Sequence, residues 1–306
     1  MGRITDAVVV GARTVRRLPM PGRVYTQGLA GARRALPPSG VQKTHAVDVE
    51  MIDRTRTVWL DRHLAENGVI IHLHGGAFVS GPFVGDWQWL SQQADARQCA
   101  GLMVDYRLAP DHQHPVALED CAAVIRELAE RGVLTDAPWI LSGHNAGGGL
   151  VLSLAALARH GQELSDDGGR IPVPAGLVAM APWLDLSLDN TTMTETGRRD
   201  PVHERRMLRA AARAYAGRTP LDAPDLSPIN TDLTGLPPLH LSVGTHDIFL
   251  TDARIARLQL EEDGLEVHYR EVGGRIGVLA RLGSGEDIKR LLREQAEFIR
   301  TVFARS

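Results

Sequence analysis

The chain has 306 residues, of which 43% are hydrophobic and 23% are charged, and its formal net charge is −3. This length and composition suit one large α/β core and make a second full domain improbable. The small negative charge gives no electrostatic reason to expect a nucleic acid or an anionic membrane as a partner.

Strand signals occur along the chain at about residues 45–60, 68–73, 101–105, 138–142, 175–181, 238–243 and 266–272. Helical stretches separate most of them, which predicts an α/β fold with a mostly parallel central sheet and helices on both faces.

Two segments fall outside this alternation, at about residues 1–44 and 186–226. We expect them to form a small helical cap on a single domain that spans residues 1–306. Residues 204–215 predict a helix with Met207, Leu208, Ala211 and Tyr215 near one face. This pattern favours packing of the cap over a dedicated ligand surface.

Sequence motifs occur in a characteristic order between the predicted strands. They are HGGAF at 74–78, DYRLAP at 105–110, PVALEDC at 115–121, GHNAGG at 143–148, PWLDL at 182–186 and GTHD at 244–247. Together they resemble the hormone-sensitive-lipase family of carboxylesterases over about residues 69–279. The resemblance implies an α/β-hydrolase fold, and it is compatible with a homodimer.

The resemblance also assigns the three positions of a catalytic triad, whose order in this fold is nucleophile, acid and histidine. Asn145 stands at the serine position and Asp247 at the acid position. Gly277 stands where the histidine belongs, and no histidine follows His268. A carboxamide is not a useful nucleophile at neutral pH, so Asn145 cannot form an acyl-enzyme. The sequence thus predicts a degenerate triad.

An oxyanion hole is expected to survive these losses, because its donors are backbone N–H groups. The resemblance assigns them to Gly75, Gly76 and Ala146. Such donors would stabilise negative charge on a small-molecule ligand that carries a carbonyl group. Alternatively, Gly75 and Gly76 preserve only a tight turn.

Three polar side chains are the main candidates for chemistry. Asn145, at the apex of a strand-to-helix turn, would donate a hydrogen bond to a ligand carbonyl or orient a water molecule. Asp247 would act as a general base or form an ion pair with Arg275. His144 is a candidate for acid–base work, although packing or hydrogen bonding behind the sheet is favoured for it.

Other residues near the motifs have mainly structural interpretations. His74 is expected to hold the shape of the oxyanion loop, and a structural role is also favoured for His246. Phe78 and Trp87 would line the pocket or, alternatively, pack helices. No Cys/His cluster has metal-ligand spacing, so we expect neither a metal nor another cofactor.

Cellular location is inferred from the cysteines and the N-terminal segment. Cys99 and Cys121 are expected to be small buried side chains in a reducing compartment, without a disulfide. The apolar stretch at residues 7–10 is too short for a signal peptide or a membrane span. We therefore expect a cytoplasmic protein.

Three functions compete at this point. The favoured hypothesis is a non-hydrolytic enzyme, such as a lyase, cyclase or isomerase, that uses the oxyanion hole. The second is a receptor-like pseudoenzyme that binds a small molecule without catalysis. The third is a weak or unconventional carboxylesterase that recruits a histidine from elsewhere in the chain.

Overall fold

The computed structural model describes residues 35–161, 170–190, 200, 203–275 and 285–306. Within these ranges one sheet contains eight strands in the order β1-β2-β4-β3-β5-β6-β7-β8. The strands are β1 (Val47–Ile52), β2 (Thr55–Leu60), β3 (Val69–Leu73), β4 (Ala100–Asp105), β5 (Trp139–His144), β6 (Gly176–Met180), β7 (Leu239–Gly244) and β8 (Val267–Val272).

The pairing is antiparallel between β1 and β2 and between β2 and β4, and it is parallel from β4 through β3 to β8. The described α-helices are α1 (Ser39–Gln42), α2 (Val84–Arg97), α3 (Val116–Glu130), α4 (Ala146–His160), α5 (Arg205–Ala216), α6 (Leu250–Glu262) and α7 (Glu286–Phe303). Short 3-10 helices occupy Arg62–Asn67 and Pro228–Asn230. The predicted mostly parallel sheet is confirmed.

The first strand signal, at residues 45–60, contains two strands. β1 ends at Ile52 and β2 begins at Thr55, opposite it in the register. Asp53 turns the chain between them with a φ of 50°, a left-handed conformation that aspartate tolerates better than most residues. The predicted strand region ran across Asp53 and Arg54 and so did not separate the two strands of this hairpin.

Helices cover both faces of the sheet, because adjacent residues of its buried strands point to opposite faces. Ile70 and Ile140 belong to a core that includes α2 and α7, whereas Ile71 and Leu141 belong to a core that includes α3 and α4. Both faces are therefore apolar, which explains why β3 is completely buried.

The carboxyl edge of the parallel strands gathers the sequence motifs. β3 leads into residues 74–78, β5 leads into Asn145, and β7 leads into Asp247. Hydrogen bonds continue the sheet at this edge, from the Asn145 N–H to the Met180 carbonyl and from the Ala181 N–H to the Ser242 carbonyl. The motifs far apart in sequence thus meet at one end of the sheet.

Two further expectations concern cysteine chemistry and membrane insertion. Cys99 and Cys121 are buried free thiols, as predicted, and burial raises the pKa of Cys99 to about 12. Among the helices in the described ranges, none combines the length and apolarity needed to cross a membrane.

Candidate functional site

Asn145 occupies a sharp turn between β5 and α4. Its backbone has φ 54° and ψ −115°, a conformation rarely adopted by a residue with a side chain, and the residue is 5% exposed. Its carbonyl accepts hydrogen bonds from the Gly149 and Trp183 N–H groups, at 3.1 and 2.9 Å. The elbow backbone is therefore formed, although its apex carries a carboxamide.

Gly147 allows this elbow to lie against the end of β3. A Cβ atom at Gly147 would lie 2.0 Å from the carbonyl oxygen of Leu73, so no larger residue fits without movement of the backbone. The packing places the first turn of α4 next to the oxyanion loop, and the helix begins with Ala146.

The oxyanion loop directs its amides differently from the sequence prediction. The Gly75 N–H points to the Asp86 carboxylate, with a nitrogen–oxygen distance of 3.4 Å. The Ala77 N–H donates instead to Asn145 Oδ1 at 3.3 Å. Gly75 is therefore replaced by Ala77 in the set of amides that face the elbow.

Gly76 lies between Gly75 and Ala77, and its backbone conformation lets the two amides point in different directions. Its φ of 122° is available to glycine and strained for other residues, and a Cβ atom there would lie 2.1 Å from the Ser80 carbonyl oxygen. His74 supports the loop from behind: its Nδ1 donates to the Gly75 carbonyl at 2.8 Å, and its ring stacks on Tyr106. The structure thus agrees with the structural interpretation of His74.

His144 belongs to a buried polar group beneath the elbow. Its Nδ1 lies 3.6 Å from Asp86 Oδ1, and the Nε2 atom of His72 lies 3.5 Å from the same oxygen. Burial raises the pKa of Asp86, but interactions with the His144 and His72 rings outweigh burial and hold that pKa well below its usual range. Asp86 also accepts the Phe83 N–H at 2.7 Å. This arrangement fits the packed role expected for His144.

Asp247 lies beside two residues that sequence reasoning did not select, Asp200 and His203. One ligand atom from each of the three lies within 4.8 Å of the others. The His203 Nδ1 is 2.8 Å from Asp200 Oδ2, and the Asp200 carboxylate also accepts the His203 and Ile248 N–H groups. A histidine therefore stands next to the residue at the acid position.

This trio also has the composition and spacing to hold a metal ion. Linear motif searching missed it because residues 200 and 247 are far apart in sequence and are joined only by the fold. The one local signal was the Asp-x-x-His spacing of Asp200 and His203, which commonly produces a side-chain contact in a turn.

Aromatic rings connect His203 with the oxyanion loop. The His203 ring lies 5.6 Å from Phe249, Phe249 lies 5.8 Å from Trp183, and Trp183 lies 6.3 Å from Phe78, measured between ring centroids. Phe78 stacks on Tyr215 of α5 at 3.8 Å. These pairwise contacts form a continuous row of rings from His203 to Tyr215.

Trp87, a second aromatic candidate, has a different place. It is fully buried in the core that includes α2 and α7, so helix packing describes it better than pocket lining. Gly277, assigned to the lost histidine, lies outside the described residues.

Comparisons with known proteins identify the family of this chain. Residues 70–279 match the family model described as alpha/beta hydrolase fold. The chain is 32% identical over 224 residues to an acetyl-hydrolase of Streptomyces hygroscopicus, covering 73% of this chain and 72% of that protein. It is 30% identical over 279 residues to the esterase LipU of Mycobacterium tuberculosis, covering 87% and 85%.

A solved esterase from the bacterial hormone-sensitive lipase family is also similar, with a TM-score of 0.79, 27% identity and 98% of both chains covered. The predicted α/β-hydrolase fold is confirmed. The hypothesis of a non-hydrolytic lyase, cyclase or isomerase is wrong, because these relatives are named as hydrolases of esters or acetyl groups.

Proposed function

Because this chain belongs to the α/β-hydrolase family, we propose that it is a weak carboxylesterase in which His203 takes the part of the missing triad histidine. The observation that carries the proposal is the close approach of His203 to Asp200 and Asp247, with one ligand atom of each residue within 4.8 Å of the others. In this proposal the triad is degenerate, because Asn145 occupies the nucleophile position and does not attack the ester. A water molecule attacks the ester instead.

His203 has the surroundings of a general base. Its Nδ1 is anchored by Asp200 at 2.8 Å, which fixes the orientation of the ring, and the proposal assigns the acceptance of a proton from water to Nε2. Asp200 and Asp247 are buried beside His203, and an ionised carboxylate at this place would favour the imidazolium that forms during the reaction. The His203 side chain is 19% exposed and can therefore be reached from solvent.

Asn145 and the neighbouring amides would receive the ester. In the absence of substrate, Asn145 Oδ1 accepts the Ala77 N–H. We propose that the ester carbonyl oxygen takes over this donor and also uses the N–H groups of Gly76 and Ala146. Ala146 is the first residue of α4, where N–H groups lack partners within the helix and the helix dipole favours negative charge.

The reaction then proceeds in two proton-balanced steps. The water oxygen attacks the carbonyl carbon while His203 Nε2 takes the water proton, and the carbonyl oxygen becomes an oxyanion held by the backbone amides. Collapse of this intermediate breaks the bond to the leaving alkoxide, which receives the proton from His203. The products are one carboxylic acid and one alcohol, and no acyl-enzyme is formed.

Hydrolysis by this route would be slow because no side chain acts as nucleophile. Triad hydrolases without their nucleophile retain roughly a 10³-fold to 10⁴-fold advantage over water through the oxyanion hole and substrate binding. We expect activity of that order. Short acyl esters are the proposed substrates, since Phe78 and Tyr215 stack closely beside the loop and one relative is named an acetyl-hydrolase.

Residues 186–226 are proposed to act as part of the cap, since α5 carries Tyr215 onto Phe78. The buried positions of α5 include Met207, Leu208 and Ala211, as the helical pattern predicted.

The test is hydrolysis of p-nitrophenyl acetate by wild type, His203→Gln and a control, His268→Gln. His268 is an exposed histidine that contacts Glu266. It lies near the start of β8, at the amino end of the parallel strands and away from their carboxyl edge. We expect His203→Gln to lower kcat/KM about 100-fold, the usual contribution of a general base, and His268→Gln to leave it unchanged. Equal activity of His203→Gln and wild type, or no hydrolysis by wild type, would overturn the proposal.

A further inference from the structure

A cavity of about 360 Å³ lies between α3, α4 and the segment at residues 224–232. Ser153 and Leu157 of α4 form one side of it, Leu118 of α3 forms part of the wall, and the segment contributes the rest. The walls thus come from three separate parts of the described chain. Ser153 lies about 10 Å along the helix axis from Ala146, at 1.5 Å per residue, so the cavity is separate from the ester site.

Ser153 is the buried polar group of this cavity. The residue is 5% exposed, and its hydroxyl makes no hydrogen bond within the described part of the chain. A serine inside a helix can donate to the carbonyl four residues earlier, but Ser153 does not bond to Gly149 in this way. A buried hydroxyl without a partner costs free energy, so a ligand that reaches it gains a hydrogen bond at this point.

Two exposed carboxylates, Asp225 and Asp232, stand at the rim of the cavity. Among the residues that the structure describes, no lysine or arginine lines the cavity or forms an ion pair with either carboxylate. The rim therefore attracts a cation and repels an anion.

The histidines beside these carboxylates leave most of the negative charge in place. His114 Nε2 lies 3.3 Å from Asp225 Oδ2, and burial lowers the pKa of His114, so its ring is mainly neutral at pH 7. Asp232 Oδ1 accepts the N–H and the hydroxyl of Thr234, which hold the pKa of Asp232 below its ordinary value. Its Oδ2 is 3.8 Å from His160 Nε2, which is already bonded to the Asp232 carbonyl.

The lining favours an organic cation over a metal ion. A metal site brings several side-chain ligand atoms onto one ion. The group of three such side chains found among the described residues contains Asp200 and lies outside this cavity. Leu118, Ala156 and Leu157 offer instead an apolar surface that suits the body of an organic molecule.

We infer that this cavity binds a small organic ammonium compound that has an apolar body and a hydroxyl group at its other end. The ammonium group lies at the rim beside Asp225 and Asp232, the body packs against Leu118 and Leu157, and the hydroxyl bonds to Ser153. This inference does not depend on the proposed ester hydrolysis.

Isothermal titration with tyramine, a phenol that carries an ethylammonium group, tests the rim at low ionic strength, where charges are weakly screened. We expect wild type to bind one equivalent, and Asp225→Asn/Asp232→Asn to weaken binding at least about tenfold, because two charged acceptors are lost. The control is Asp48→Asn/Asp53→Asn, which removes two exposed charges from the β1–β2 hairpin. The control should retain wild-type affinity.

Ser153→Ala tests the buried end of the cavity. We expect it to weaken tyramine binding about fivefold, because one hydrogen bond is lost. It should leave the binding of 2-phenylethylammonium unchanged, since this probe has the same ammonium group and ring but lacks the hydroxyl. Equal affinity of Ser153→Ala and wild type for tyramine would overturn the inference.

The inference also fails if wild type does not bind tyramine at millimolar concentration, or if the control double variant loses as much affinity as the cavity double variant. A parallel arm uses calcium chloride. Binding of Ca²⁺ that displaces tyramine would overturn the organic ligand in favour of a metal ion. Circular dichroism of all variants should match wild type, since the four aspartates are exposed and Ser153 borders open space.

Discussion

The Asn145 side chain accepts a hydrogen bond from the Ala77 N–H, with Oδ1 3.3 Å from the amide nitrogen. The carboxamide oxygen of the elbow residue thus takes the direction in which an ester carbonyl would lie. Since a carboxamide resembles an ester at this oxygen, the contact indicates that the Ala77 amide can serve a planar carbonyl group. It also means that substrate must compete with Asn145.

Removal of this competitor should improve substrate binding. We expect Asn145→Ala to lower KM for p-nitrophenyl acetate about fivefold, which corresponds to about 1 kcal/mol for one neutral hydrogen bond. KM reports binding here because slow chemistry leaves substrate binding at equilibrium. Steady-state kinetics with background subtraction measures the change, and an unchanged or increased KM would contradict the competition.

Asp86 should be important for stability, because it joins Gly75 and Phe83 to the buried rings of His72 and His144. We expect Asp86→Asn to lower the free energy of unfolding by about 3 kcal/mol, as when one partner of a buried charged group is removed.

The control for this prediction is Asp263→Asn, an exposed aspartate at the end of α6. Its effect on the free energy of unfolding should stay within about 0.5 kcal/mol. Urea denaturation measures both variants. Similar losses of stability in the two variants would show that Asp86 has no special structural role.

Asp252 should make stability depend on pH. Burial raises its pKa to about 7, although the Asn190 side chain donates a hydrogen bond to its Oδ1. The unfolded chain releases this proton near pH 4, so between about pH 4 and 7 the folded state holds a proton that the unfolded state has lost. Stability therefore falls as pH rises through this window.

Asp252→Asn removes that dependence. We expect the variant to exceed wild type by about 4 kcal/mol in the free energy of unfolding at pH 8, and to equal it near pH 4. Urea titrations at four pH values, with the exposed Asp263→Asn as control, measure the difference. A difference that is the same at every pH would refute the assignment.

The acidic trio allows a test for metal dependence. In our account His203 acts as a base on water, so dialysis of the purified protein against EDTA should leave ester hydrolysis unchanged. If EDTA abolishes hydrolysis and Zn²⁺ or Mn²⁺ restores it, Asp200, His203 and Asp247 act as metal ligands, and the role of His203 as a base is wrong.

Sequence patterns predicted the sheet and the elbow well, because buried strands and tight glycine turns depend on local chemistry. The glycine at position 147, for example, is required by contact with β3. The sequence patterns also assigned Gly75 to the oxyanion hole. The direction of the amides in this loop depends on backbone dihedral angles such as the φ of Gly76, and composition does not specify these angles.

His203 was missed for another reason. Its partner Asp247 is 44 residues away, and only the approach of the segment before α5 to the end of β7 brings them together. Motif spacing cannot reveal such a contact. The sequence did suggest that a histidine from elsewhere would be needed for ester hydrolysis, and the structure supplies the candidate.

Asn145→Ser tests the central claim most directly, because it places a hydroxyl at the elbow while leaving any existing base in position. We predict that Asn145→Ser raises kcat/KM for p-nitrophenyl acetate at least about 100-fold, and that an acyl-enzyme appears in intact mass spectra. Asn145→Ser/His203→Gln should lose this gain, whereas Asn145→Ser/His268→Gln should keep it. If Asn145→Ser is inactive and only Asn145→Ser/Gly277→His hydrolyses the ester, His203 is not the base and the account is contradicted.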